Sequence, residues 1–295
     1  MFAMNRKFEI HMHSSFSDGE FSPKELVCIA QQNGVSTLSL TDHDTFKGCS
    51  ELLQAAESAN IYSFPGIEIT VNHRGRTLHL LAYFKSLDSV LPELLAKVED
   101  MRGQRDQRML ELINRIDAVV PDRFRGMITF DNVRKAAEGV VARPHLAREM
   151  ARLKIVPTSN DAFDRYLVKH NVEKKNLDIE EVIQLILASR GIPVLAHPGE
   201  RQYSLYDPES KNNYPDVEKA LAELCSFGLK GLECVYPYHE KMGMVGFYLD
   251  LAGKLGLIPT GSRDFHGFNI SQRTDMLGTT KMDDTFLLRF QELWG

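Results

Sequence analysis

Cysteine is scarce in this chain of 295 residues, which has only four. They are Cys28, Cys49, Cys225 and Cys234; they form no C-x-x-C pair, and none neighbours a histidine-rich motif. Without a secretion signal, they are expected to be reduced, buried thiols rather than disulfides or zinc ligands. A metal site in this chain would therefore use nitrogen and oxygen ligands.

The sequence also lacks an excess of positive charge, a long apolar run and a signal peptide. Its formal net charge is −5, so a polyanion would have to bind at a local site rather than over a general basic surface. No apolar stretch is long enough to span a bilayer, and the N-terminus has neither the apolar core nor the cleavage site of a secretory signal. We therefore expect a cytoplasmic protein with no membrane partner and no stable protein partner.

The order of apolar runs predicts an α/β fold. A short strand is followed by a helix that starts at Ser22 and Pro23 and stops at Gly34, and then by a second strand. Polar residues follow the strands at their carboxyl ends, where parallel barrels and doubly wound sheets place active sites. Counting such runs gives about seven strands.

The middle of the chain has a different pattern. Helical periodicity and frequent charges dominate between residues 91 and 188, and β-like runs are scarce. We interpret this stretch as a mainly helical insertion that covers the active-site mouth. The predicted domains are the first part of a barrel, residues 1–90; the insertion, residues 91–188; and the second part of the barrel, residues 189–295.

The segment Phe8–Asp18, FEIHMHSSFSD, is the first sign of a metal site. His11 and His13 are two residues apart, so in a strand both imidazoles would point the same way, and Asp18 follows in the next loop. Two imidazoles and a nearby carboxylate are typical of half a metal site. A His-x-His pair alone is more often two ordinary histidines, so the rest of the chain decides the interpretation.

Further imidazoles and carboxylates occur at or near the ends of other apolar runs. They are His43, Glu68, His79, His197, Asp264 and His266. A charged group buried in such a strand needs a partner, because burying it alone costs roughly several kcal/mol. A shared metal ion would be such a partner. One ion with an open position uses about three or four protein ligands, so these residues together with His11, His13 and Asp18 suit two or three ions.

Taken together, these motifs resemble the PHP family, which is named for polymerase and histidinol phosphatase. The matching segments follow the family's order over nearly the whole chain: His11-Met12-His13 with Asp18, Thr41–Asp44, Pro65–Glu68, His79, Ala196–Pro198 and Asp264–His266. The resemblance implies a distorted seven-stranded (β/α)7 TIM-like barrel with a trinuclear site at its carboxyl-terminal mouth. It also implies two or three divalent ions, Mn²⁺ first and Fe²⁺ or Zn²⁺ as alternatives.

The resemblance also implies how the ligands are shared. His11, His13 and Asp264 would hold one ion, and Glu68 would bridge it to a second ion. The second ion would be held by His79 and His197, and the third by Asp18, His43 and His266.

Within this family, the length of the chain and Arg143-Pro144-His145 are most similar to phosphatases of nucleoside 3′,5′-bisphosphates, some of which also trim short RNA from the 5′ end. The substrate would be a small phosphorylated molecule, a nucleotide or a short oligonucleotide. The implied reaction is attack of a metal-bridging hydroxide on phosphorus. One departure is Arg263, which occupies the place where this subgroup usually has Ser before the last motif.

The roles of the remaining polar residues are less defined by sequence. Arg143 and Arg148 are predicted to bind phosphate, with Arg201 as a weaker candidate. Arg263 would either clamp a phosphate or obstruct its approach. His145, His197 and Asp264 are alternative proton donors, while Asp42 and Asp44 would support the ligands from behind or cap a helix, with ligation as a minor alternative. Solvated side chains or helix ion pairs are expected for Arg74, Arg76, Arg102, Arg105 and Arg108, and solvated side chains for His73, His170 and His239.

Three other functions remain open at this level. The same site could hydrolyse histidinol phosphate or another phosphomonoester. A non-catalytic binding or regulatory module would be expected to lack ligands, whereas none is missing from this sequence. A proofreading module attached to a polymerase is disfavoured because the sequence contains no polymerase segment.

Overall fold

In the computed structural model, which describes residues 6–135, 137, 141–172, 176–201, 203–211, 213–268 and 276–295, strands and helices alternate over much of the chain. The strands are β1 Lys7–Glu9, β2 Val35–Leu38, β3 Tyr62–Ser63, β4 Gly66–His73, β5 Arg76–Tyr83, β6 Leu177–Asp178, β7 Ile192–Leu195, β8 Gly231–Val235 and β9 Ile258–Gly261. The helices are α1 Pro23–Gln32, α2 Cys49–Ser58, α3 Pro92–Asp117, α4 Phe130–Lys135, α5 Arg143–Arg152, α6 Ser159–Ala162, α7 Ile179–Ala188, α8 Val217–Ser226, α9 Pro237–Met242, α10 Val245–Leu255 and α11 Phe286–Trp294.

The strands form two sheets. One is parallel with the order β1-β2-β3, and the other is mixed with the order β6-β4-β5-β7-β8-β9. In the mixed sheet β5 runs antiparallel to both β4 and β7, and the other pairs are parallel. Two isolated parallel bridges, Met12 with Phe265 and His43 with Glu68, connect the sheets. The predicted α/β class is confirmed, whereas continuous ladders do not close a seven-stranded barrel within the described residues.

The strand count differs from the predicted seven for a local reason. Nine strands occur among the described residues, two of which, β3 and β6, are only two residues long. The apolar run 61–69 divides at Phe64-Pro65 into β3 and β4. Proline has no N–H to donate to a ladder, which explains the interruption at Pro65.

Helix α1 has the predicted ends. Ser22 accepts a hydrogen bond from the N–H of Glu25, and the Glu25 side chain accepts one from the N–H of Ser22, forming a capping box. Pro23 occupies the first turn, and Gly34 has a φ of 71° just beyond the helix. The loop that carries Asp18 connects β1 to this helix, and the helix leads into β2.

Helix α3 is continuous through two hydrophobic cores. Leu94 and Val98 in its first half pack into the large core formed by the mixed sheet with helices α7, α8 and α10. Leu112 and Ile116 in its second half pack into a separate core of the helical part. The stretch 91–188 contains helices α3–α7 and, in its described part, the short strand β6. The domain limits at residues 90 and 188 stay a prediction.

The cysteines are free thiols, as expected, but they are not all buried. Cys49 and Cys234 are buried, Cys225 is half-buried and Cys28 is exposed. No helix in the described part of the chain combines the length and the apolar composition needed to cross a membrane.

Candidate metal centre and arginine cavity

The structure brings all of the predicted metal ligands together at one end of the strands. They follow or lie within different strands: His11, His13 and Asp18 come after β1, His43 after β2, Glu68 in β4, His79 in β5, His197 after β7, and Asp264 and His266 after β9. The bridges between Met12 and Phe265 and between His43 and Glu68 hold the two sheets together at this point. Residues distant in sequence therefore share one site.

Glu68 lies at the centre of this cluster and is buried. Its two carboxylate oxygens face different imidazoles. The distances from Oε2 are 3.4 Å to His11 Nε2, 3.2 Å to His13 Nε2 and 3.0 Å to His43 Nδ1; those from Oε1 are 2.8 Å to His79 Nδ1 and 3.0 Å to His197 Nε2. A carboxylate that faces two groups of nitrogens in this way is suited to bridging two ions.

Asp264 and Asp18 complete the cluster. Asp264 Oδ1 lies 3.2 Å from His11 Nε2 and 3.0 Å from His13 Nε2, and Asp18 Oδ1 lies 3.3 Å from His266 Nε2. Three groups have ligand atoms within 4.8 Å of one another: His11, His13, Glu68 and Asp264; His43, Glu68 and His79; and His13, Asp18, His43 and His266. The first and third groups contain the ligands that the family resemblance assigns to two of the ions, with His13 added to the third. The second group contains Glu68 and His79 as implied, but with His43 in place of His197, whose Nε2 lies 3.0 Å from Glu68 Oε1.

The polar atoms of the cluster are suited to a cation. Several are buried without a hydrogen bond of normal geometry from any described residue, namely His11 Nε2, His13 Nε2, His43 Nδ1, Asp18 Oδ1 and Asp264 Oδ1. Leaving so many buried polar atoms unsatisfied is unfavourable. Imidazole nitrogens and carboxylate oxygens that converge in this way fit divalent metal ions.

Protons compete with metal ions for the same nitrogens. Burial alone would lower the pKa of His13, but the adjacent Asp264 and Glu68 carboxylates raise it to about 10. In contrast, burial lowers the pKa of His43 to about 3, against the opposing effect of Glu68. Metal binding must therefore release protons and weaken in acid.

Asp42 and Asp44 support the loops that carry ligands. Asp42 accepts hydrogen bonds from the Ser14 N–H at 2.7 Å and from the hydroxyls of Ser14 and Ser17 at 2.6 Å each, which fixes the loop between His13 and Asp18. Asp44 accepts the Thr70 N–H at 2.8 Å. Helix α2 begins after Gly48, so neither carboxylate caps it.

A cavity of about 630 Å³ adjoins the cluster. Asp18, His43 and His79 form its wall on the side of the metal centre, and its other walls carry Arg76, Arg105, Arg108, Arg143, Phe163, Asn171 and Tyr203. The expectation that Arg76, Arg105 and Arg108 are ordinary solvated side chains is wrong. Arg105 and Arg108 are one turn apart on α3, and the packing of the helical part turns that face toward the cavity.

The cavity arginines differ in their partners. Arg105 pairs with Asp44 and donates to Thr70 Oγ1 at 2.8 Å. Arg108 donates to the neutral acceptors Val172 O at 2.7 Å and Asn171 Oδ1 at 2.8 Å. Burial, followed by the charges of Arg143 and Arg105, lowers the pKa of Arg108 to about 10. Among the residues that the structure describes, no carboxylate forms an ion pair with Arg108 or Arg143, so this part of the cavity has positive charge available for an anion.

The other predicted phosphate-binding arginines lie outside the cavity. Arg148 is exposed, and Arg201 is exposed with its guanidinium over the Tyr238 ring. Arg263 is only 2% exposed; it donates to Glu240 Oε2 at 2.8 Å and to Thr280 Oγ1 at 3.2 Å. Its guanidinium is turned into the protein by this ion pair, so in this structure it neither clamps nor obstructs a ligand of the cavity.

His145 is buried beside the cavity wall. Its Nδ1 accepts a hydrogen bond of 3.0 Å from the Ala142 N–H, which places the proton of a neutral imidazole on Nε2. Burial, followed by the charge of Arg148, lowers the pKa of His145 to about 4. The side chain is therefore neutral near pH 7 in this structure.

The expectation of solvated histidines is wrong at two of the three positions. His73 is buried against Tyr214, and His239 is fully buried. His239 donates from Nδ1 to the Cys234 carbonyl and accepts the Gly199 N–H at Nε2, both at 2.9 Å. His170 is half-buried.

Sequence reasoning also missed Glu233, which contacts two candidate ligands. The signal was present, because Glu233 is a carboxylate inside the apolar strand Gly231–Val235, just as Glu68 interrupts an apolar strand. The same burial argument that selected Glu68 could have selected Glu233.

The fold and the cluster define a class: α/β proteins with clustered imidazole and carboxylate groups that can hold metal at one end of their strands, here beside a cationic cavity. The chain belongs to the PHP domain family, whose model matches residues 9–227. This family comprises metal-dependent phosphoester hydrolases.

Individual proteins agree with this assignment. The chain is 34% identical over 199 residues to a 5′-3′ exoribonuclease of Haemophilus influenzae, covering 66% of this chain and 70% of that protein. It is 27% identical over 263 residues to a 3′,5′-nucleoside bisphosphate phosphatase of Chromobacterium violaceum, covering 88% and 86%. A solved structure from Bifidobacterium adolescentis superposes with a TM-score of 0.81 at 24% identity, covering 98% and 96%, which shows a shared fold.

Proposed function

We propose that this protein releases phosphate from small nucleotides of the nucleoside 3′,5′-bisphosphate type and also trims short RNA from the 5′ end. The observation that carries the proposal is the position of the ligand cluster, which opens directly into a cavity with uncompensated arginine charge. The names of the two relatives point to the same chemistry. The cavity volume of about 630 Å³ lies in the range of small-molecule sites.

The proposed centre holds two or three divalent ions, with Mn²⁺ as the first candidate. His11, His13, Glu68 and Asp264 would hold one; Glu68, His79 and His197 the second; and Asp18, His43 and His266 the third. Bound ions of this kind supply an activated water at neutral pH and neutralise charge on the phosphoryl oxygens. His197 and Asp264 are engaged inside this cluster, which favours them as ligands over a role in proton donation.

The arginines of the cavity are the proposed phosphate-binding residues. Arg108 and Arg143 face the cavity without carboxylate partners among the described residues, so their guanidinium groups are available for bidentate hydrogen bonds to phosphate oxygens. Arg105 is already paired with Asp44 and contributes mainly to the local positive potential. Phe163 and Tyr203 add aromatic faces to the same walls, against which a ribose or a base can pack.

His145 is the proposed proton donor to the leaving oxygen. The Asp18 carboxylate is close enough to raise its pKa against the effect of burial, and a phosphate dianion in the cavity would add to that increase. Donation requires the cationic ring, which carries a proton on both nitrogens, so Nδ1 must give up the hydrogen bond from the Ala142 N–H before His145 can donate from Nε2. A bound anion would thus increase the fraction of His145 that is protonated and able to donate.

For the architecture we propose a distorted barrel of seven strands, β1, β2, β4, β5, β7, β8 and β9. The two isolated bridges support this arrangement because one joins Met12 after β1 to Phe265 after β9, and the other joins His43 after β2 to Glu68 in β4. The ligands would then surround one mouth of the barrel, as in other barrels with sites at the carboxyl ends of strands.

The experiment is an assay of the purified protein with Mn²⁺ on four substrates: a nucleoside 3′,5′-bisphosphate, the matching monophosphate, a short 5′-labelled RNA and histidinol phosphate. We expect phosphate release from the bisphosphate and mononucleotide release from the RNA, both abolished by chelation. Turnover of histidinol phosphate together with inactivity on every nucleotide would replace this proposal with the phosphomonoesterase alternative.

A further inference from the structure

Glu233 lies behind the metal centre and contacts two candidate ligands at once. Its carboxylate is buried in β8, with 1% of the residue exposed. Oε1 and Oε2 lie 3.0 and 3.2 Å from His11 Nδ1, and Oε2 accepts the main-chain N–H of His197 at 2.8 Å. One side chain therefore links the imidazole of one ligand to the backbone of another.

The contact with His11 determines which ring nitrogen faces the centre. A carboxylate only accepts hydrogen bonds, so His11 must carry a proton on Nδ1 to bond Glu233. The lone pair of a neutral ring is then on Nε2, which faces Glu68 Oε2 at 3.4 Å and Asp264 Oδ1 at 3.2 Å. This is the tautomer that a metal ion shared with those two carboxylates requires.

The contact with His197 acts on the backbone. His197 has a φ of 26°, in the region that non-glycine residues rarely adopt. Such a conformation persists only when its surroundings hold it in place. Glu233 fixes the N–H at this position, while the ring Nε2 lies 3.0 Å from Glu68 Oε1 on the other side.

We infer that Glu233 is a positioning residue of the metal centre, which selects the metal-binding tautomer of His11 and holds the strained backbone of His197. The inference rests on the metal centre of the proposed function, although not on its substrate. Because His11 and His197 contact different oxygens of Glu68, Glu233 acts on two ion positions. The negative charge of Glu233 also increases the basicity of the His11 ring, since a carboxylate partner stabilises positive charge on it.

The test is Glu233→Gln, compared with the unchanged protein by calorimetric titration of Mn²⁺ into chelator-treated samples. The amide oxygen of glutamine can accept one of the two hydrogen bonds, while its NH₂ group opposes the other donor. We expect Mn²⁺ affinity to fall about 10–100-fold. Phosphatase activity should recover when Mn²⁺ is raised in proportion, which a general loss of structure would not allow.

The matched control is Glu149→Gln. Glu149 is also a buried carboxylate, but it lies on α5, pairs with Arg152 and contacts no candidate ligand. The Glu149→Gln variant should keep its Mn²⁺ affinity within about twofold, since the carboxylate of Glu149 pairs with Arg152 and not with a ligand. Unchanged affinity in Glu233→Gln, or an equal loss in both variants, would overturn the inference.

A second variant covers the case in which Glu233→Gln fails to fold by circular dichroism. Glu233→Asp keeps the charge but withdraws the carboxylate by one methylene, so it should also weaken Mn²⁺ binding, by a smaller factor. Wild-type affinity in a folded Glu233→Asp would then count against the inference. These titrations use no substrate. If the Glu233 variants lose Mn²⁺ affinity but the unchanged protein is inactive on nucleotides, only the proposed reaction is refuted.

Discussion

Replacing Arg143 with methionine tests the arginine cavity with two measurements that should change in opposite directions. Arg143 lines the cavity, and its guanidinium lies over the Phe163 ring, 5.9 Å from the ring centroid. It also contributes to the lowered pKa of Arg108. Arg143 therefore destabilises the fold of the substrate-free protein, whereas its charge should stabilise the complex with a bound anion.

The size of the stability gain follows from Arg108. The pKa of Arg108 falls from its ordinary value to about 10, a shift that would correspond to about 3 kcal/mol in full. Arg108 is half-exposed, so solvent screening reduces this value, and burial contributes more to the shift than Arg143 does. Arg143→Met should therefore stabilise the substrate-free protein by about 0.5–1 kcal/mol, or about 1–3 °C in Tm.

The expected loss in binding is larger. A lost charge-assisted contact to phosphate is worth about 1.5–3 kcal/mol, so KM for the bisphosphate should increase about 10–150-fold. Thermal unfolding of the substrate-free protein and steady-state kinetics measure the two effects. Arg148→Met is the control, because Arg148 is on the same helix but exposed and outside the cavity. A destabilised Arg143→Met with unchanged KM would refute the assignment of Arg143 to phosphate binding.

Three other predictions concern the centre and its surroundings. Glu68→Ala should reduce Mn²⁺-dependent activity by more than about 100-fold, since a change outside the ligand set already costs 10–100-fold; full activity would exclude the proposed bridging role. Asp42→Asn should weaken Mn²⁺ binding about tenfold by loosening the loop that carries Asp18, as checked by titration. His239, with a folded-state pKa of about 4 against 6.5, stabilises the fold above pH 6.5 and loses this contribution as the pH falls toward 4. Chelated protein should lose about 2 kcal/mol between pH 6.5 and 5 from this group, and His239→Gln should remove that part of the slope in urea unfolding.

The sequence predicted best those residues whose role depends on residues close to them in the chain. Ser22 and Glu25 form the expected capping box, because capping depends on spacing within one turn. His11 and His13 meet at the centre because they leave the same short strand two residues apart. Each candidate ligand except Asp18, which lies in the loop after β1, is inside an apolar strand or follows one closely, so a local pattern was sufficient to select it as a candidate.

The remaining features depend on contacts between distant segments. Arg105 and Arg108 look like helix-surface charges in sequence, and only the rotation of α3 against the helical part turns them toward the cavity. Arg263 follows a strand end like the ligands, yet Glu240 draws its guanidinium away. The pairing of strand edges is also non-local, so sequence could give the class of fold but not how the two sheets meet.

The continuity of α3 has a consequence for how related proteins can diverge or be recombined. This helix of 26 residues extends roughly 39 Å and belongs to both hydrophobic cores. It also carries Arg105 and Arg108, whereas Arg143 and Phe163 come from the segment that follows it. A chimera that exchanges residues 118–176 would replace one wall of the cavity and retain α3 as a fixed wall. Such an exchange would change the residues that contact a ligand on one wall of the cavity. Helix α3, which joins the exchanged segment to the end of the strands that carries the candidate ligands, would keep its sequence.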